Sequence, residues 1–145
     1  MKKTALIPGS FDPITVGHLD LIERCAAIFD EVTVAVAANG EKKTMFDYDE
    51  RIMRVEKAVK HLDNVLVVRL DGLVSELAEK LDAVIVKGAR NATDFDYENM
   101  LSQINRELTS AETMILPADE RFMFVSSTFV RDLIRHGKDV TKYIP

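Results

Sequence analysis

Five short apolar runs, each followed by a longer stretch of helical period, restrict this chain more than anything else in its sequence. The runs fall at residues 4–8, 31–38, 65–70, 83–87 and 113–116. In EVTVAVAA, Val32, Val34 and Val36 alternate with small residues. Runs such as VLVV and AVIV are apolar on both faces, as strands buried in a parallel sheet require. The intervening stretches space apolar residues three and four apart: Leu19, Ile22, Ala26, Phe29; Ile52, Val55, Val59, Leu62; Leu73, Val74, Leu77, Ala78, Leu81; Tyr97, Met100, Leu101, Ile104, Leu108. Asp47, with Glu50 three residues on, reads as a helix cap. A last helix is expected from near Ser126 to Gly137, a residue suited to closing it. Strand and helix alternating five times predict an α/β chain, one domain over residues 1–145 on a single doubly wound five-stranded parallel sheet. Ligands bind such sheets beyond the carboxyl ends of the strands, where strand order reverses. Chemistry is therefore expected in the loops 8–17, 38–47, 70–72, 88–94 and 117–126.

Composition narrows the function classes. With 47% hydrophobic and 30% charged residues among 145, the chain can bury a core without a disulfide or structural metal. Its one cysteine, Cys25, has no partner for an internal disulfide and reads as a core residue, which suits a reducing, cytoplasmic setting. The opening MKKTALIPG offers only Ala5-Leu6-Ile7 before Pro8, against about 7–15 residues in a signal peptide's apolar region. No stretch approaches the roughly 18 apolar residues of a membrane span. A net charge of −5 argues against a general nucleic-acid binder. It leaves room for a small phosphorylated ligand, which a few cations and helix N-termini suffice to hold. His18, His61, His136 and Cys25 lack zinc spacing, so no protein-bound metal is expected, and Asp94, Asp96 and Glu98 read as a charged helix entrance. Neither G-x-x-x-x-G-K-[ST] nor G-x-G-x-x-G occurs.

The loop between the first strand and first helix carries the strongest signal. It reads PGSFDPITVGH from Pro8 to His18. Gly9 frees the backbone as it leaves the strand, Pro13 shapes a turn, and Gly17 admits a close ligand. His18 then falls in the first helical turn, where unpaired N–H groups and the positive dipole end attract phosphate. An imidazole there can donate to a phosphoryl oxygen as charge builds on it. A lone histidine would more simply be a surface residue at a helix start. Ser10, Thr15, Gly17 and His18 gathered at a sheet's carboxyl edge favour the phosphate site.

These residues carry a resemblance. Thr15-Val16-Gly17-His18 resembles the T/H-x-G-H signature of the nucleotidylyltransferase superfamily, and the longer PGSFDPITVGH resembles the phosphopantetheine adenylyltransferase family. Lys42-Lys43 with Met45-Phe46, KGARNATDFDYE from Lys87 to Glu98, Asn105-Arg106, and FVSST from Phe124 to Thr128 follow in that family's order and spacing. The resemblance thus covers essentially the whole chain. It implies a Rossmann-like nucleotidyltransferase fold and reversible transfer of the adenylyl group of ATP to 4′-phosphopantetheine, giving dephospho-coenzyme A and pyrophosphate in the penultimate step of coenzyme A biosynthesis. It also implies Mg²⁺ held mainly by the ATP phosphates, a homo-oligomer (a hexamer), and coenzyme A as feedback inhibitor, with no nucleic-acid or membrane partner.

Carried over by resemblance, His18, Lys42, Arg90 and Ser10 would be the catalytic group, with His18 stabilising the transition state. Ser10, Phe11, His18, Gly88, Ala89, Arg90, Glu98 and residues Phe122, Met123, Phe124, Val125, Ser126, Ser127 and Thr128 would bind ATP. Ser10, Lys42, Leu73, Val74, Lys87 and Asn105 would bind the acceptor. Spacing alone does not separate Lys42 from Lys43; the family pattern favours Lys42. Lys87 stands where the family usually has arginine, keeping the charge but losing the fork. Thr128 replaces a serine and keeps the hydroxyl. Relatives generally continue beyond the position of Pro145 into one more helix.

The implied chemistry asks little of a protein. An acceptor phosphate with a second pKa near 6 arrives largely dianionic, so alignment and charge neutralisation suffice without a strong base. Two rivals remain: another T/H-x-G-H transferase, such as a cytidylyltransferase or nicotinamide-mononucleotide adenylyltransferase, and a nucleotide-binding regulatory module without turnover.

Overall fold

The computed structural model describes residues 1–38 and 43–145. The elements run β1 (Thr4–Gly9), α1 (Val16–Ile28), β2 (Glu31–Ala37), α2 (Tyr48–Ala58), β3 (Val65–Leu70), α3 (Val74–Leu81), β4 (Ala83–Ala89), α4 (Ala92–Thr109), β5 (Thr113–Pro117), a 3₁₀ turn (Glu120–Phe122) and α5 (Ser127–Arg135). All strand pairs are parallel, in the order β3-β2-β1-β4-β5. This is the doubly wound five-stranded sheet expected. Gly88 and Ala89, expected in a loop, are instead the last residues of β4, and β2 stops at Ala37 rather than Ala38.

Alternation along the strands divides the core. Ala5, Ile7, Val32, Val34 and Val36 face α1 and α2, meeting Ile22, Cys25, Val55 and Val59. Leu6, Ala35 and Ile85 face the other way, onto Ala78 and the partly buried Leu77 and Leu81 of α3. The chain winds outward from β1 to β3, then crosses back to β4, so winding reverses between β1 and β4. Their pairing ends at Leu6 and Ile85, although β1 continues to Gly9 and β4 to Ala89. Pro8, which brings no N–H to a ladder, lies in the stretch where pairing has ceased. The two strand ends therefore frame an open crevice.

The helix ends follow local chemistry. The Asp47 side chain accepts from Glu50 N–H at 2.8 Å, starting α2 as expected. Past α5, Gly137 adopts φ +69°. Gly137 N–H reaches Ile134 O at 3.0 Å and Lys138 N–H reaches Leu133 O at 2.9 Å, the paired closure that glycine permits. The apolar period of α4 marks its helix correctly but not a buried face. Phe95, Tyr97, Met100, Ile104 and Leu108 are 47–57% exposed, an apolar stripe that the single chain leaves half open.

Arg51 ties the strand ends together. Its side chain is almost wholly buried, stacked near the Tyr48 ring at 5.1 Å. Nη1 donates to Ser10 O at 2.7 Å and to Ala37 O at 2.9 Å, and Nη2 to Ala38 O at 3.5 Å. The carboxyl ends of β1 and β2 thus share one donor. Arg51→Met should remove donors from buried carbonyls and cost about 3 kcal/mol, on the scale of 1–3 kcal/mol per unsatisfied group. Urea unfolding with an unchanged m-value checks this; a loss below about 1 kcal/mol would contradict it.

Candidate active site

The crevice between β1 and β4 opens into a cavity of about 370 Å³ lined by both strand ends, the start of α1, the first two turns of α4 and the start of α5. A second cavity of about 260 Å³ lies beside it, lined by the start of α3, one side of α4, and Pro8. Pro8, Lys87 and Glu98 line both. Lys87 Nζ and a Glu98 carboxylate oxygen are 3.5 Å apart at this junction.

His18 is built into the first turn of α1. Thr15 caps the helix: its hydroxyl accepts from His18 N–H at 3.3 Å, and its own N–H donates to His18 Nδ1 at 2.9 Å. The bond requires a lone pair on Nδ1, which puts the proton of the neutral ring on Nε2. The Phe11 ring meets the imidazole edge-on, 5.1 Å between centroids. Gly9 makes room for it, since a Cβ there would lie 3.0 Å from Phe11 Cε2. Burial, then the charges of Lys87 and Arg90, lower the His18 pKa to about 4. His18 is therefore a neutral imidazole, its proton on Nε2, in the wall of a cavity lined with cations.

Most of the expected residues meet around this cavity. Ser10, Phe11, His18, Lys87, Gly88, Arg90, Glu98, Phe122, Val125, Ser126, Ser127 and Thr128 all line it. Ser126 caps α5 by accepting from Phe129 N–H at 3.0 Å, and Ser127 Oγ donates to Pro13 O at 2.8 Å, joining α5 to the first loop. Leu73, Val74 and Asn105 line the second cavity, as does Lys87. Ser75 Oγ and Thr113 Oγ1, on residues of that wall, have no hydrogen-bond partner.

Three expectations differ. Ala89 lines neither cavity; its carbonyl accepts from Ala118 N–H at 2.9 Å and holds β4 to the segment after β5. Met123 and Phe124 line neither. The Phe124 ring turns to Phe129 and Tyr143, at 5.9 and 6.1 Å, and Tyr143 O accepts from Val16 N–H at 2.9 Å. Two rings, Phe129 on α5 and Tyr143 in the tail, hold Phe124 away from the crevice. Lys42 lies outside the described residues.

Other cavity residues had no clear signal in the sequence. Buried Asp12 accepts from Met45 N–H and Phe46 N–H, both at 2.9 Å, its oxygen 3.8 Å from Arg131. Arg131 donates to Asp12 O at 2.8 Å and Thr128 Oγ1 at 3.2 Å. Nothing local marks these contacts, whose partners are 33 to 119 residues apart, except Thr128 three positions before Arg131. Asp94 pairs with Arg90 at 2.8 Å, a spacing of four that helix geometry could have suggested. Cys25 is buried, its thiol pushed up to about 11 by burial, and is inert as a nucleophile.

A parallel sheet with a capped histidine at its switch point, facing cations and hydroxyls from two other helix starts, defines a nucleotidyltransferase of Rossmann-like fold. The model of the cytidylyltransferase-like family matches residues 6–133. A solved structure from Vibrio parahaemolyticus, assigned as a nicotinate-nucleotide adenylyltransferase, superposes with a TM-score of 0.73 at 28% identity, covering 99% of this chain and 87% of that one. The phosphopantetheine adenylyltransferase of Mannheimia succiniciproducens is 44% identical over 147 residues, covering 100% of this chain and 92% of its own. That of Pasteurella multocida is 46% identical over 144 residues, covering 98% and 91%. The chain belongs to the phosphopantetheine adenylyltransferase family within the cytidylyltransferase-like proteins.

With its pKa near 4, His18 stays neutral wherever pH exceeds about 5. Its ring carbons followed by NMR should hold one neutral tautomer from pH 8 to 5 and titrate only below. A midpoint near the ordinary 6.5 would refute this environment.

Proposed function

We propose that the chain transfers the adenylyl group of ATP to 4′-phosphopantetheine by direct in-line displacement, with pyrophosphate leaving and dephospho-coenzyme A formed. The observation that carries this is His18, held neutral with its proton on Nε2 in the wall of the larger cavity, while the smaller, more apolar cavity adjoins it at Lys87. The larger cavity suits a nucleoside triphosphate; the smaller suits a narrow, partly apolar arm bearing a phosphate.

The step follows from that arrangement. An oxygen of the acceptor phosphate attacks the α-phosphorus of ATP, the bond to the β-phosphate oxygen breaks, and no proton need be removed first. His18 Nε2–H donates to an α-phosphate oxygen as charge concentrates there, which stabilises the transition state more than the ground state. Because His18 is neutral, it gives this hydrogen bond without proton transfer. Ser10, Arg90 and the hydroxyls of Ser126 and Thr128 hold the β- and γ-phosphates, with Gly88, Phe11, Phe122 and Val125 packing on the nucleotide, while Ser127, its hydroxyl donated to Pro13 O, fixes α5 against the first loop. Glu98 turns to the nucleotide and releases Lys87 to the acceptor phosphate, with Lys42 beside it and Leu73, Val74 and Asn105 along the arm.

The cavity's described carboxylates are already engaged: Asp12 by two backbone N–H groups, Asp20 by Arg24, Asp94 by Arg90, Asp119 by Arg121 and Glu98 by Lys87. Mg²⁺ in this reading travels on the triphosphate, where it would neutralise charge on the leaving pyrophosphate. The exposed Phe95 and Met100 of α4, which line neither cavity, support assembly of identical copies, a hexamer by family resemblance. A product-like feedback ligand, coenzyme A, would overlap the second cavity. No described helix is long and apolar enough to cross a membrane, and the cytoplasm is the proposed location.

Pyrophosphate release across nucleotides and acceptors tests the reading; a preference for CTP would sink it. His18→Ala should lower kcat by about 10²–10³, the scale of one lost transition-state donor, with ATP binding nearly unchanged. ATP binding without any turnover by the unaltered chain would favour a regulatory module instead. Met100→Glu, on the α4 stripe but lining neither cavity, should shift the light-scattering mass towards the single chain. An unchanged mass would show that assembly does not use this face.

A further inference from the structure

A cation that grips a triphosphate is useful only if its plane is fixed before the ligand arrives. Arg90 has such a fixture. Asp94, one turn further along at the start of α4, accepts from Arg90 Nε at 2.8 Å and Arg90 N–H at 3.1 Å through one oxygen, and from Nη2 at 3.3 Å through the other. The mount is itself anchored, because Asp94 N–H donates to the Asn91 side chain that caps α4, at 2.9 Å. The carboxylate occupies the side-on edge of the guanidinium, formed by Nε and Nη2. That leaves the end-on edge, Nη1 with the second Nη2 proton, for a ligand.

Asp94 is an anion on the wall of a cavity suited to a polyanion, with its side chain about a quarter exposed. Direct contact between it and a triphosphate would be repulsive, so its use must run through a neighbour. Burial acts to raise its carboxyl, but the side-chain and backbone hydrogen bonds from Arg90 outweigh this and hold it below the usual range. It stays ionised, and the pair stays formed, at neutral pH.

We propose that Asp94 is a positioning residue for the nucleotide, clamping Arg90 by its side-on edge so that the end-on edge is presented to the triphosphate. The inference rests on reading Arg90 as a nucleotide contact. An ordinary surface pair four residues apart would support the helix and do nothing for the ligand. Repulsion between Asp94 and the phosphates opposes the clamp. The ordering of a long, flexible side chain outweighs it, because the cavity is open to screening solvent.

The test is a double-mutant cycle read by calorimetric ATP binding to the assembled protein, with melting temperatures as a folding control and KM and kcat alongside. Asp94→Ala should weaken ATP binding about tenfold, the scale of disturbing one charged hydrogen-bonded contact, and raise KM for ATP more than it lowers kcat. Asp94→Asn, whose single amide oxygen can still accept from Nε and Arg90 N–H but loses the Nη2 bond and the charge, should weaken binding by less than Asp94→Ala. In an Arg90→Ala background, Asp94→Ala should change binding less than about twofold, since nothing remains to be positioned. ATP binding equal to or tighter than the parent's in Asp94→Ala would overturn the proposal. So would a tenfold loss that persists without Arg90. Unchanged binding in Arg90→Ala alone would instead overturn the assignment of Arg90 on which the proposal stands.

Discussion

Thr15 N–H donating to His18 Nδ1 at 2.9 Å does three things at once. It satisfies an amide at the entrance to α1, it aims the ring, and it decides which nitrogen carries the proton. The return bond from His18 N–H to the Thr15 hydroxyl closes the same turn, so the helix cap and the chemical group are one unit. Phe11 then braces the ring from the side, and the bare Cα of Gly9 leaves it the room. A histidine on a flexible loop would have to be ordered at each turnover. Here the ordering is done when the helix forms, and burial beside Lys87 and Arg90 keeps the ring uncharged.

Around that ring the cavity holds cations without leaving them bare. Arg90 is paired with Asp94, Lys87 with Glu98, and Arg131 with Asp12. On a chain of net charge −5 this arrangement keeps the ligand-free crevice near balance and stores positive charge where a polyanion can compete for it. Lys87 has the most consequential place, since its pair with Glu98 forms the boundary between the two cavities. A lysine, with one compact charge and three rotatable donors, can change partners there more readily than a fork held in one plane.

The crevice itself is a result of pairing that stops. β1 and β4 run on for several residues after their ladder ends, and Ile7 to Gly9 and Val86 to Gly88, from those last residues, line the cavity between them. Arg51, buried beneath and donating to Ser10, Ala37 and Ala38 carbonyls, supplies hydrogen bonds to the strand ends on the β2 side. The half-exposed apolar side chains of α4 are a feature that the single chain leaves open.

Much of this was legible in the sequence because it depends on short-range periodicity and caps. The five strands show in their local apolar runs, and the helix of His18, the Asp47 cap and the Gly137 closure arise from interactions within about four residues, which a linear string records directly. The family pattern likewise pointed to loops that do meet in one crevice. What the string could not specify was direction. Phe124 follows Phe122 by two residues yet packs on Phe129 and Tyr143 instead of the cavity, and the α4 stripe has helical spacing but splits, Tyr97, Ile104 and Leu108 lining the cavities and Phe95 and Met100 neither. Asp12 meets Met45, Phe46 and Arg131 across 33, 34 and 119 residues. The sequence by itself determined which segments are strands and helices and that His18 opens the first helix. Only the tertiary structure decided which side chains share the crevice, because those contacts are chosen by the packing of distant segments on a twisted sheet, and no local pattern encodes them.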